Sequence, residues 1–145
     1  MRILLGSDDR GEAPEALVAL LRERGHDVRI VGPLAGEPMG WADVAHAVAE
    51  GVAAGEADEG MLFCWTGTGV SIAANKVPGI RAALCGDAET ARGARRWNDA
   101  NVLCMSLRTT TPVLAREIAE AWLSEREIDP EERGQIDRIE RVRGT

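Results

Sequence analysis

Met61-Leu62-Phe63-Cys64-Trp65-Thr66-Gly67-Thr68-Gly69-Val70-Ser71-Ile72-Ala73-Ala74-Asn75-Lys76 is the stretch from which the rest of the chain can be read. A short apolar run stops at a cysteine, a Gly/Thr loop follows, and a helix start comes after the loop. That order predicts strand, loop and helix, with a thiol at the strand's C-terminal edge and unpaired backbone amides facing it. In an open α/β sheet ligands bind at this edge, and a helix N-terminus accommodates anions. The loop has no Walker lysine at the required spacing, so nucleoside triphosphate binding is not predicted.

Outward from this segment, short apolar runs alternate with amphipathic stretches of helix length. Strands are predicted at Arg2–Gly6, His26–Val31, Glu59–Phe63, Ile80–Cys85 and Asn101–Met105. Helices are predicted at Ala13–Arg24 (closed by Gly25), Trp41–Ala53, Val70–Lys76, Ala88–Arg96 and Pro112–Leu123. Strict alternation with short connections predicts a three-layer α/β/α sandwich around a doubly wound, five-stranded parallel sheet. Residues 7–11, 64–69, 86–87 and 106–111 each follow a strand, so they are expected to meet along one sheet edge. Trp97-Asn98-Asp99 precedes the fifth strand and stands apart from them. The charged tail 124–145, with Pro130 and Gly134, is expected to form a short helix or an arm on a partner subunit.

Composition narrows the function classes. The 145 residues suit one domain, and 45% apolar with 28% charged residues predicts a globular chain. No run approaches the ~20 apolar residues of a membrane helix, and the start has no signal-peptide layout. A cytoplasmic location is expected. The net charge of −7 argues against nucleic acid as a partner. Cys64, Cys85 and Cys104 are odd in number and lack CxxC spacing, so neither a disulfide framework nor a metal site is expected.

Several segments, in order, resemble one family. They are Gly6-Ser7-Asp8, Cys64 with Thr66-Gly67-Thr68-Gly69, Ser71–Lys76, Val77–Ala82 and Asn98–Leu103. The chain is similar over roughly residues 1–123 to ribose-5-phosphate isomerase B and the LacA/LacB subunits of galactose-6-phosphate isomerase. The resemblance implies a cofactor-free aldose–ketose isomerase with a Rossmann-like fold. It also implies a homodimer, or a tetramer of dimers, with active sites at the subunit interface and a small sugar phosphate as substrate. By the same resemblance Cys64 is the base that forms a cis-enediolate, Asp8 handles the hydroxyl protons and Thr66 assists. The amides of Gly67, Thr68, Gly69 and Ser71 hold the oxyanion with help from Asn98. Arg108 and Arg138 fall near the family's phosphate arginines.

The residue chemistry agrees. Proton abstraction beside a carbonyl needs a positioned base and donors aimed at the enediolate oxygens. Glycines let a backbone approach an anion closely.

The chain also departs from the family's pattern. Asp9, Gly86 and Trp97 stand where the family has histidines, and the last of these is the ring-opening acid/base of the ribose-5-phosphate isomerases. Trp65 replaces a small residue after the cysteine, and Trp41 replaces a tyrosine while Asp43 is kept. Arg133 and Arg138 are spaced five apart instead of four. A base kept without a ring opener implies a substrate already in open-chain form, such as a four-carbon keto-sugar phosphate. Asp9 would repel an anion, with Arg10 beside it as an offset.

Other readings stay open at this point. Cys64 also fits a small buried residue ending a strand, and Cys85 and Cys104 read as packing. Asp8 also fits a helix cap and Asn98 a turn residue. Trp65 and Trp97 suit either pocket or interface. For the whole chain, the alternative is a non-catalytic sugar-phosphate-binding protein or a LacA-like subunit that needs a partner chain.

Overall fold

The computed structural model describes residues 1–140. Five strands are present, β1 (Arg2–Ser7), β2 (Asp27–Val31), β3 (Glu59–Cys64), β4 (Ala82–Leu84) and β5 (Val102–Ser106). They form one all-parallel sheet in the order β2-β1-β3-β5-β4. The helices are α1 (Glu12–Glu23), α2 (Trp41–Ala53), α3 (Thr68–Asn75), α4 (Ala88–Asn98), α5 (Pro112–Ser124) and the short α6 (Arg133–Ile136). The expected doubly wound sandwich is what forms.

Strand alternation divides the core in two. Met61 and Phe63 face one side of β3 and join Leu5, Leu17, Leu103, Met105, Ile118 and Trp122. Leu62 and Cys64 face the other side, with Leu4, Val44, Val48, Val70 and Cys104. All six residues of β3 are buried, as a central parallel strand covered on both faces requires. The chain winds outward from β1 to β2, then returns to place β3 on β1's other side. The switch point of the sheet therefore lies between the ends of β1 and β3, where an open α/β sheet forms its crevice.

Glycines bring α2 close to this point. A Cβ on Gly6 would stand 2.5 Å from Val44 Cγ1, and one on Gly60 2.5 Å from Val48 Cγ1. The ends of β1 and β3 are thus fixed against one helix.

Several boundaries differ from the sequence expectation. β4 is shorter, because the Arg81 amide donates to Asn101 Oδ1 (2.8 Å) rather than to a strand. α3 begins at Thr68, directly after the loop, and α4 runs on to Asn98. Trp97 and Asn98 therefore sit on a helix end. The tail returns to its own chain. The Asp129 amide donates to the Arg96 carbonyl (2.8 Å), Arg126 pairs with Glu59 (3.1 Å), and Ile136 is buried. Residues 141–145, the end of the expected tail, lie outside the described residues. Among the described residues no helix is long and apolar enough to cross a membrane, and no group of His, Cys, Asp and Glu could hold a metal.

The α2 contact makes a clear demand on Gly6. Gly6→Ala should lower stability by about 1–3 kcal/mol through overpacking. The measurement is urea unfolding, where the midpoint falls and the slope is kept.

Candidate active site

Cys64 is the last residue of β3 and Asp8 the first after β1. The Asp8 amide donates to the Phe63 carbonyl (3.3 Å), which carries the β1–β3 ladder one step further and sets Asp8 beside the cysteine. A pocket of about 280 Å³ is lined by Asp8, Trp41, Cys64, Trp65, Thr66 and the start of α3. The sequence placed Asp8, Cys64 and the loop here. Trp41 at this pocket was legible only as a replacement within the family pattern, because α2 brings it from the far side of β1.

The loop turns at Gly67. This residue is left-handed (φ +78°), and a Cβ there would lie 2.9 Å from the Met105 carbonyl carbon. Gly67 is also the N-cap of α3, and it offers no side chain to the first-turn amides. The Ser71 amide donates to the Gly67 carbonyl (3.3 Å) and is spent within the helix. The Thr68 amide reaches Thr66 Oγ1 at 3.4 Å, and the Thr66 and Thr68 hydroxyls are 2.7 Å apart. Gly69 and Val70 present the remaining amides of the first turn. An anion at this position meets the positive end of α3.

A second hollow of about 410 Å³ adjoins the first, lined by Asp9, Arg10, Trp65, Arg108 and the residues leading into α5. Asp9 Oδ1 accepts the Arg10 amide (2.8 Å), so this carboxylate is partly engaged by its own backbone. Arg10 entered the sequence reading only as an offset to Asp9, and here it lines the groove with Arg108. Thr111 caps α5 by accepting the Leu114 amide (3.1 Å).

The other site residues lie elsewhere. Trp97 and Asn98 end α4 at the opposite edge of the sheet. Cys64 pairs with Ser106 across the ladder, and β5 begins at Val102. Four residues at ~3.3 Å each put the start of β5 roughly 13 Å below the thiol's edge. Asn98 lines a separate hollow there with Arg81 and Glu140. Arg138 sits in the tail, donating to the Gly134 carbonyl (2.8 Å). Within one chain these residues do not meet Cys64. Neither histidine lines the two hollows, and His26 Nδ1 lies 3.1 Å from the Met1 amino group.

Electrostatics separates the thiols and the acids. Burial, and then the Asp87 charge, pushes the Cys85 thiol up to about 12. Complete burial raises Cys104 further. Asp8 is held above the ordinary carboxylate range, first by partial burial and then by the charge of Asp9.

A family model described as Ribose/Galactose Isomerase matches residues 3–142. The chain belongs to the Ribose/Galactose Isomerase family. It is an enzyme of the isomerase class. Bacillus subtilis YwlF is 52% identical over 84 residues, an alignment covering 58% of this chain and 56% of that protein. D-erythrulose-4-phosphate isomerase 2 of Mycolicibacterium smegmatis is 41% identical over 136 residues, covering 90% of this chain and 88% of that one. Ribose-5-phosphate isomerase B of Clostridium thermocellum superimposes with a TM-score of 0.88 at 36% identity, covering 97% and 95% of the two chains.

Two measurements follow, one from the opening of Cys64 alone among the thiols onto a pocket and one from the raised Asp8. Iodoacetamide at pH 8 should label the native protein at Cys64, with Cys85 and Cys104 reacting only on unfolding, as peptide mass mapping reads. The second concerns Asp8. An acid raised in the folded state binds more protons than in the unfolded chain, so its contribution to stability falls as pH rises through the folded value. Asp8→Asn should therefore raise Tm at pH 7 and change it little near pH 3, below the ordinary carboxylate value, with Tm read by calorimetry at both pH values.

Proposed function

We propose that this protein interconverts an open-chain aldose phosphate and its ketose, with Cys64 as the base. The observation that carries the reading is the thiol at the switch point, between Asp8 and the amide-presenting start of α3. In the aldose-to-ketose direction the Cys64 thiolate takes the C2 proton, and the released pair forms the C1–C2 double bond. O1 becomes the enediolate oxygen, held by the Gly69 and Val70 amides. Asp8 carries the O2 proton to O1, a task suited to a carboxyl whose proton is held more firmly than usual. The thiol returns its proton to C1, giving the ketose with no net gain or loss of atoms.

The phosphate is placed in the adjoining groove, against Arg10 and Arg108. Thr66 fixes the loop through its hydroxyl contact with Thr68.

The absence of a histidine from both hollows supports a substrate that needs no ring opening. A four-carbon keto-sugar phosphate cannot close a furanose through its phosphorylated terminal oxygen. The similarity to an erythrulose-phosphate isomerase supports this choice.

Asn98 and Trp97 join the mechanism only across subunits. The parallel sheet puts them at the wrong edge of their own chain, so a second copy supplies them to Cys64. Exposed Trp41 (48%), Ile72 (62%), Leu84 (41%) and Trp97 (52%) provide apolar area for such a contact. The proposed unit is a homodimer, alone or paired into a tetramer.

Turnover of four-, five- and six-carbon aldose and ketose phosphates tests the chemistry. Activity should favour the acyclic substrates and fall at least 10³-fold in Cys64→Ala. Binding without turnover in the wild type would move the assignment to a sugar-phosphate-binding protein. Mixing inactive Cys64→Ala with inactive Asn98→Ala tests the shared site. Random exchange should restore roughly a quarter of wild-type activity, since half the dimers then hold one intact site of two. A mixture that stays inactive would place the whole site in a single chain.

A further inference from the structure

Trp65 is the one residue that lines both hollows at the C-terminal edge of the sheet. On one side stands the pocket of Cys64, and on the other the groove of Arg10 and Arg108. Its main chain is fixed. The Trp65 carbonyl accepts from Ser106 Oγ (2.9 Å) and from the Arg108 amide (3.0 Å). The Cys64 carbonyl accepts from the Leu107 amide (2.9 Å). The indole is 65% exposed, so it stands up from this anchored peptide rather than filling the core.

A second indole limits the thiol pocket. Trp41 packs against Gly69, where a Cβ would come within 2.9 Å of Cε3 and 3.2 Å of Cδ2. Only a glycine admits the ring at that distance, so this wall is set by the start of α3. A substrate with its reacting carbons at Cys64 and its phosphate at the arginines has to pass the edge of Trp65.

We propose that Trp65 is a specificity-determining residue that measures chain length, favouring four carbons over five. This rests on the isomerase reading above. In a four-carbon ketose phosphate one hydroxyl-bearing carbon separates the enolised pair from the phosphate-bearing carbon. In the five-carbon homologue there are two. The second hydroxyl would be turned toward an apolar ring face that offers it no hydrogen-bond partner, and losing its water on that side is costly. The indole has only two side-chain torsions and a fixed base, so it yields little room.

The test is kcat/KM in the ketose-to-aldose direction on D-erythrulose 4-phosphate and D-ribulose 5-phosphate. Neither closes a furanose, so ring opening drops out and chain length alone is compared. Wild type should prefer the four-carbon substrate at least tenfold. Trp65→Gly should raise the five-to-four ratio by about 10- to 100-fold, with Trp65→Phe between the two. A wild type that takes both equally, or a ratio unmoved in Trp65→Gly while turnover persists, overturns the proposal and leaves the isomerase reading intact. If the glycine variant loses both activities, the phenylalanine variant decides by whether its ratio rises or stays. A wild type that turns over neither ketose, and exchanges no solvent deuterium into them, takes down the isomerase reading and this proposal together.

Discussion

The turn at Gly67 is the constraint from which the site follows. β3 ends at Cys64 and α3 begins at Thr68, because the chain reverses at Gly67, which is left-handed and lies against the Met105 carbonyl. Any side chain at position 67 would strike that carbonyl or the Leu84 methyl group. The sharpness of this turn keeps the thiol and the free amides of the helix within one small pocket. It also leaves α3 without a side chain at its N-cap, so the Gly69 and Val70 amides remain at the pocket end of the helix. A serine or aspartate at the cap would instead take up one of these amides.

At the opposite edge the sheet is built on charge. Glu59 opens β3 and is buried, and it meets Arg95 (3.5 Å) and Arg126 (3.1 Å). Arg95 in turn lies over the Trp122 ring and reaches Asp99 (3.7 Å). Asp99 is the one non-glycine residue with positive φ (+48°) among those described, and Arg81 Nε donates to its carbonyl (2.6 Å). Removing one partner from such a network would strand a buried charge, which costs more than the pair contributes. The network therefore fixes the turn after α4, and with it the direction in which Asn98 and Trp97 leave the helix.

The two edges fit one account. The edge with Cys64 carries a thiol, helix-start amides and arginines, while the edge with Asn98 is tied down by ion pairs and its apolar neighbour Trp97 is exposed. Trp41 and Trp65 line the hollows at the Cys64 edge. Both present apolar ring surface there, whereas Trp97 stands exposed at the other edge. Such surroundings are those on which the proposed enolisation of a short, open chain rests.

The sequence by itself determined the order of elements, the parallel sheet and the edge at which the thiol stands. These follow from local information: apolar runs of strand length, amphipathic runs of helix length, and glycines where the chain has to turn. The Cys64–Gly69 segment and Asp8 were legible for the same reason, since each lies just past a strand. The family resemblance, too, rested on contiguous motifs. Tertiary structure alone decided the rest. The three-residue length of β4 depended on Arg81 bonding to Asn101. The tail's fold onto its own chain depended on contacts between Asp129 and Arg96 and between Arg126 and Glu59. The pairing of Trp41 with Gly69, and the place of Trp65 between two hollows, depended on how α2 and the β5–α5 loop pack. The separation of Asn98 from Cys64, by contrast, was legible in the sequence, since Trp97-Asn98-Asp99 precedes the fifth strand whereas Cys64 ends the third. Spacing along a chain encodes periodicity and turns, but it holds no information on which distant side chains meet, and that is fixed only when the layers close on one another.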